Sequence, residues 1–224
     1  MKFENEPLTP SPGTKNNELQ TPSPGTISVL FTCHGNICRS TMSEFIMKDI
    51  VNKQGLLECF HIESSATHTD EIWNGVGSPV YPPARAKLCE HGIGTDDNEL
   101  GVSAKRARLT SRADYDKFDF IIGMDSANIR DLNRIFGGDP DKKIHKMLEF
   151  AGREGDVADP WYTGNFDATW RDCSEGCHGL FRQILIDPRF AKELSQADNT
   201  NGIYDDYERE DVRDNLKYDD FPRG

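Results

Sequence analysis

The sequence predicts a single α/β domain, a four-stranded parallel sheet with helices on both faces, flanked by disordered tails. Three observations predict it. Short apolar runs rich in β-branched and aromatic residues alternate with stretches whose apolar residues recur at helical spacing. A tight glycine-containing loop joins the first run directly to the first helical stretch. The chain is polar on average, 36% hydrophobic and 29% charged, and its two ends carry much of that dilution, which leaves the middle able to form a core.

Residues 1–26 contain Thr-Pro-Ser-Pro-Gly-Thr twice, at 9–14 and 21–26, with few large apolar residues between. Such a segment buries too little surface to offset its ordering entropy. Ile27-Ser28-Val29-Leu30-Phe31-Thr32 suits a buried strand, and Ser40 to Val51 a helix with Met42, Phe45, Ile46 and Ile50 on one face. Phe60 to Ser64 alternates as a second strand. Residues 66–80, with Gly75, Gly77 and Pro79, read as a long loop. Pro82-Pro83 opens a helix that Gly92 stops. Phe118 to Met124 is a third strand, Ser126 to Phe136 a helix, Lys143 to Phe150 a fourth strand, and Phe166 to Leu185 the last helix. The folded domain is therefore expected over 27–197. From 198 to 224 acidic residues outnumber basic ones without an apolar period, as in a solvated tail.

Composition excludes several classes. A net charge of −12 disfavours a nucleic-acid partner, although a locally positive pocket can still take a small anion. No apolar run approaches the ~20 residues of a membrane span, and the first residues lack the apolar core of a secretory signal. A cytoplasmic monomer without membrane contact is expected. The six cysteines, at 33, 38, 59, 89, 173 and 177, include no CxxC pair and no structural-zinc spacing, so neither metal nor cofactor is expected. Cys173 and Cys177, with His178, could meet a metal from one helix face; buried thiols of a core helix are the plainer reading.

Cys33-His34-Gly35-Asn36-Ile37-Cys38-Arg39-Ser40 has the form C-x5-R-S between strand and helix. Backbone N–H groups of a tight loop entering a helix form a nest for a phosphate-sized anion and stabilise a thiolate at Cys33. Arg39 can hold two phosphoryl oxygens in its planar fork. The Ser40 hydroxyl can donate to the sulfur, Gly35 permits backbone turns forbidden to other residues, and Asn36 can bond its own loop. C-x5-R alone could be a buried cysteine ahead of an arginine. Its place at a strand's end, with Gly, Asn and Ser around it, favours chemistry.

With Val29-Leu30-Phe31 before it and Met42 and Glu44-Phe45 after it, this loop resembles the active-site loop of the low-molecular-weight protein tyrosine phosphatases. Glu63-Ser64-Ser65-Ala66-Thr67, His91-Gly92-Ile93, Met124-Asp125-Ser126-Ala127-Asn128, Asp131-Leu132-Asn133 and Asp159-Pro160-Trp161-Tyr162 follow in the family's order. The resemblance implies a flavodoxin-like, doubly wound fold and hydrolysis of phosphotyrosine through a phosphocysteine. In it Cys33 is the nucleophile, Arg39 the phosphate clamp and Asp159 the general acid and base. It also implies that His34, Gly35, Asn36, Ile37, Cys38, Ser40 and Ser64 shape or brace the phosphate loop, with Ser64 acting through Asn36. Trp73, Trp161 and Tyr162 would wall the slot for the phenyl ring. Substrates would be phosphotyrosine-containing proteins or small aryl phosphates. Lys105 stands where the family often has His, which reads as structural variation.

Three rivals remain at this level. An arsenate reductase of the same fold needs further exchanging cysteines, and Cys89 stands alone in its region. A phosphate-binding module without turnover would lack Cys33 or Asp159, and both are present. Phosphoarginine phosphatases of this fold resemble the loop but carry Thr where Ile37 stands. Cys33 and Cys38, five apart in one loop, are also spaced for a reversible disulfide.

Overall fold

The computed structural model describes Ser23 and residues 25–195. The expected tails, 1–22 with Pro24 and the whole of 198–224, lie outside the described residues. In chain order the elements are β1 (Ile27–Cys33), α1 (Arg39–Lys53), β2 (Phe60–Ala66), β3 (Ile72–Trp73), β4 (Val76–Gly77) and α2 (Pro82–Glu90). Then come α3 (Asp114–Lys117), β5 (Phe120–Gly123), α4 (Ser126–Phe136), β6 (Ile144–Lys146), α5 (Pro160–Thr163) and α6 (Phe166–Ile186).

β1 is buried along its whole length, as an apolar strand covered on both faces must be. It pairs in parallel with β2 and β5, and β6 pairs in parallel beyond β5, giving the order β2-β1-β5-β6. The sheet is therefore the four-stranded parallel one expected. Alternation along β1 sorts its side chains. Val29, Phe31 and Cys33 join the larger core with Met42, Phe45, Leu180 and Ile184, from α1 and α6. Leu30 faces the other way, onto Ile121, Leu132 and Phe136, where α4 covers the sheet. The chain order reverses between β1 and β5, and the crevice beyond their carboxyl ends is where such sheets take ligands.

Three local expectations need correction. The 66–80 segment is not all loop: Ile72–Trp73 and Val76–Gly77 form an antiparallel hairpin. Its turn is Asn74-Gly75, with φ of 51° and 79°, a pairing of residues that favours this tight turn. The fourth strand is only Ile144–Lys146, because the chain then curls into a 3-10 turn, Met147–Glu149, that buries Met147 and Leu148. Phe150 packs so closely on α6 that a Cβ at Gly179 would fall 1.9 Å from its carbonyl oxygen. The third strand starts at Phe120, two residues late, since the short α3 precedes it. Among the described residues no helix is long and apolar enough to cross a membrane.

Candidate active site

β1 delivers Cys33 at its carboxyl end, and α1 starts six residues later at Arg39. No side chain caps α1. Its first-turn N–H groups, which have no partners within the helix, are thus available to the loop, and the helix's positive end adds to the anion site. The left-handed residue of the loop is Asn36, with φ of 58°, rather than Gly35. A Cβ at Gly35 would lie 2.9 Å from Glu71 Cγ, so the Glu71 side chain would have to shift to admit one.

Asn36 is held in this unusual backbone conformation by its side chain. Nδ2 donates to Ser64 Oγ at 2.7 Å and Ser40 Oγ at 3.0 Å, and Oδ1 accepts from the Arg108 N–H at 3.1 Å. Ser40 Oγ lies 3.0 Å from Cys33 Sγ, and the Asn36 N–H donates to the same sulfur at 3.3 Å. Behind Ser64 stands a buried carboxylate. Ser64 Oγ donates to Glu44 Oε2 at 2.5 Å, and Glu44 pairs with Lys105 at 2.7 Å and Lys48 at 2.6 Å. Burial pushes the Glu44 pKa up, but the two ammonium groups outweigh it and hold the group at about 2. Lys105 also donates to the Ser64 carbonyl at 3.0 Å. It therefore braces the loop from behind, a larger part than simple variation at that position.

Arg39 is buried and joins two carboxylates, Nη1 to Asp125 Oδ2 at 2.7 Å and Nη2 to Asp159 Oδ2 at 2.6 Å. Burial opposes its charge, but Cys33, Asp159 and Asp125 raise its pKa on balance, so it stays cationic. Asp159 precedes Pro160 in an extended conformation and caps α5, its Oδ1 accepting from the Trp161 N–H at 3.0 Å. Both oxygens of the expected acid are thereby fixed.

These groups open on a cavity of about 650 Å³. Cys33, Ile37, Arg39, Asp159, Trp161 and Tyr162 line it. His34, Gly35 and Cys38 line it too, whereas Asn36, Ser40 and Ser64 sit behind the loop. Trp73 does not line it: placed on the hairpin, it is 72% exposed. Trp161 is steadied by Tyr81, ring centroids 5.8 Å apart. On the opposite lip His34 pairs with Asp70 and stacks on His68 at 4.1 Å. Cys173 and Cys177 are fully buried on α6, their thiols facing the Arg39 and Ser43 carbonyls of α1.

Sequence reasoning assigned no role to Asp125, which follows β5 much as Cys33 ends β1. The position of a polar residue at the carboxyl end of the other strand flanking the crevice was the available signal. Asp70, Glu71 and Arg130, which also line the cavity, come from a loop and an exposed helix face without such a signal.

The family described as low molecular weight phosphotyrosine protein phosphatase matches residues 28–192. The chain belongs to that family. The low molecular weight protein-tyrosine-phosphatase YfkJ of Bacillus subtilis is 36% identical over 160 residues, covering 70% of this chain and 96% of that protein. The low molecular weight protein tyrosine phosphatase of Streptococcus pyogenes superposes with a TM-score of 0.60 at 34% identity, over 75% of this chain and 98% of that one. A Drosophila arginine phosphatase superposes with a TM-score of 0.60 at 27% identity, over 71% of this chain and 98% of that one. Membership of the low molecular weight phosphotyrosine protein phosphatases makes the chain a hydrolase.

Proposed function

We propose that the protein hydrolyses phosphotyrosine without a metal, through a phosphocysteine at Cys33. The observation that carries this reading is the convergence on one sulfur: Cys33 Sγ receives the Asn36 N–H and adjoins Ser40 Oγ beneath the Arg39–Asp159 pair. A phosphate dianion settles over the loop N–H groups and takes the Arg39 fork. The Cys33 thiolate attacks phosphorus as the P–O bond breaks toward the tyrosyl oxygen, and protonated Asp159 gives that oxygen its proton. Asp159 then takes a proton from water, which attacks phosphorus and expels the thiolate, aided by the Ser40 hydroxyl. Fixed N–H groups and a fixed guanidinium meet the developing charge without reorganising, which is where most of the acceleration arises.

Trp161 and Tyr162 would flank the phenyl ring, so the substrates are phosphotyrosine-containing proteins or small aryl phosphates. A second reading, phosphoarginine hydrolysis, is raised by the likeness to the Drosophila arginine phosphatase. The test is turnover of phosphotyrosyl peptide in EDTA by the native protein and by Cys33→Ser. Turnover that EDTA abolishes, or that survives in Cys33→Ser, removes the mechanism.

A further inference from the structure

The far end of α1 carries a second cleft, of about 130 Å³, between that helix and α6. At 1.5 Å per residue it lies about 20 Å from Arg39 along the helix axis. Asp49 and Lys53 line it from α1, and His178 and Arg182 from α6.

The polar groups of this cleft are out of balance. His178 Nδ1 is buried and has no hydrogen-bond partner among the described residues. Arg182 is exposed, and among the described residues no carboxylate lies within ion-pair distance of it. Lys53 pairs with Asp49 at 2.7 Å, and Asp49 also accepts from Asn98 Nδ2 at 2.9 Å, so the one carboxylate is already engaged. Two cationic side chains against one anionic leave a net positive charge. The negative end of α1 offsets only about half a charge of it. Burial, then the charges of Arg182 and Lys53, push the His178 pKa below its usual value, so the ring stays neutral beside two cations. Among the described residues the cleft carries a net positive charge.

We propose that this cleft is a binding site for a free tetrahedral oxyanion, held between Arg182 and Lys53 with His178 taking up a proton to donate to it. The volume admits that ligand: at about 30 Å³ per water, 130 Å³ holds about four waters, room for a phosphate-sized ion. The bound anion gives Arg182 a counter-charge and His178 a reason to be charged. Since the family's reaction releases inorganic phosphate, the ligand is present wherever the enzyme works.

The experiment follows the His178 ring C–H resonances of the full chain by NMR while inorganic phosphate is added, with chloride at matched ionic strength as control. Phosphate should move the resonances saturably and raise the His178 titration midpoint by about one pH unit, as a new anionic partner does. Arg182→Gln should raise the phosphate concentration required about tenfold, the loss of one charge-assisted contact. Phosphate inhibition of turnover, read at the catalytic cavity, should be the same in that variant. His178 unmoved by phosphate, or moved equally by chloride or in Arg182→Gln, overturns the site.

Discussion

Arg39 and Asp159 are joined directly, Nη2 to Oδ2 at 2.6 Å, and the same guanidinium holds Asp125 at 2.7 Å. The proposed phosphate clamp and the proposed acid therefore share one contact, which an arriving phosphoryl group must take over. Asp159→Asn should lower kcat about 10²–10³-fold on phosphotyrosine, within the range of a lost general acid. The loss should shrink on aryl phosphates with more acidic phenols, which leave without help. Equal slowing across a leaving-group series would take Asp159 out of the acid role.

Asp125 is positioned to orient the same guanidinium, and it caps α4 by accepting from the Asn128 N–H at 2.7 Å. Asp125→Asn keeps the cap while removing the charge. The expected outcome is a rise in KM for aryl phosphates with melting temperature nearly unchanged. A matching fall in thermal stability would make Asp125 a structural residue only.

The Glu44–Lys105 pair at 2.7 Å lies under the phosphate loop, linked to it through Ser64 and Asn36. Lys105→Met leaves a buried carboxylate with half its counter-charge, at a cost of about 3 kcal/mol in unfolding experiments. The pH dependence has a definite sign. Glu44 is depressed from 4.5 to about 2, so its contribution is full above 4.5 and is lost as pH falls toward 2. Glu44→Gln should therefore flatten the acid limb of the stability curve measured between pH 5 and 2. An unchanged acid limb would show that this pair does not govern acid stability.

How far the sequence foretold this can be read from particular residues. Ile27–Cys33 and Ser126–Phe136 were legible because apolar period and punctuation agree there, and α4 ends at Gly137 in the left-handed conformation, φ 80°. Cys33, Arg39 and Asp159 are brought together across 126 positions (159 − 33) although periodicity says nothing of such pairings; motif order carried that step. The 72–77 hairpin was hidden by reading Gly75 as loop when Asn74-Gly75 is a turn signal. The same hairpin holds Trp73, exposed to solvent. Lys105 could not be read from one sequence, because its importance lies in a contact between a loop and α1, with Glu44.

Cys33 and Cys38 both line the cavity, and both are buried thiols. Burial, followed by the charge of Cys33, pushes the Cys38 thiol up, which makes Cys38 a poor target for peroxide. Brief peroxide treatment should inactivate the enzyme in a form that dithiothreitol restores. Cys38→Ser should lose that recovery, passing to sulfinic acid instead. Equal recovery in the variant would exclude a Cys33–Cys38 disulfide.

The choice of substrate is expected to turn on Ile37. Its side chain is 8% exposed and lines the cavity, while its carbonyl accepts the Tyr81 N–H at 3.0 Å and so fixes the loop against the start of α2. An apolar branch at this point suits a phenyl ring passing between it and Trp161, and it offers a guanidinium no hydrogen bond. A phosphoguanidine that enters leaves its N–H groups facing hydrocarbon, an unpaired polar contact costing about 1–3 kcal/mol. That penalty corresponds to roughly 5–150-fold in kcat/KM. Phosphoserine and phosphothreonine should be disfavoured for another reason, since their short side chains are expected not to carry the phosphate down to Cys33. Matched peptides bearing phosphotyrosine, phosphoarginine, phosphoserine and phosphothreonine should therefore be cleaved with the first clearly ahead. Ile37→Thr supplies a hydroxyl without enlarging the side chain, and should move the ratio toward phosphoarginine while leaving Cys33 and Arg39 in place. Faster cleavage of phosphoarginine by the native chain would refute the tyrosine assignment, and an unchanged ratio in Ile37→Thr would remove Ile37 from the selection.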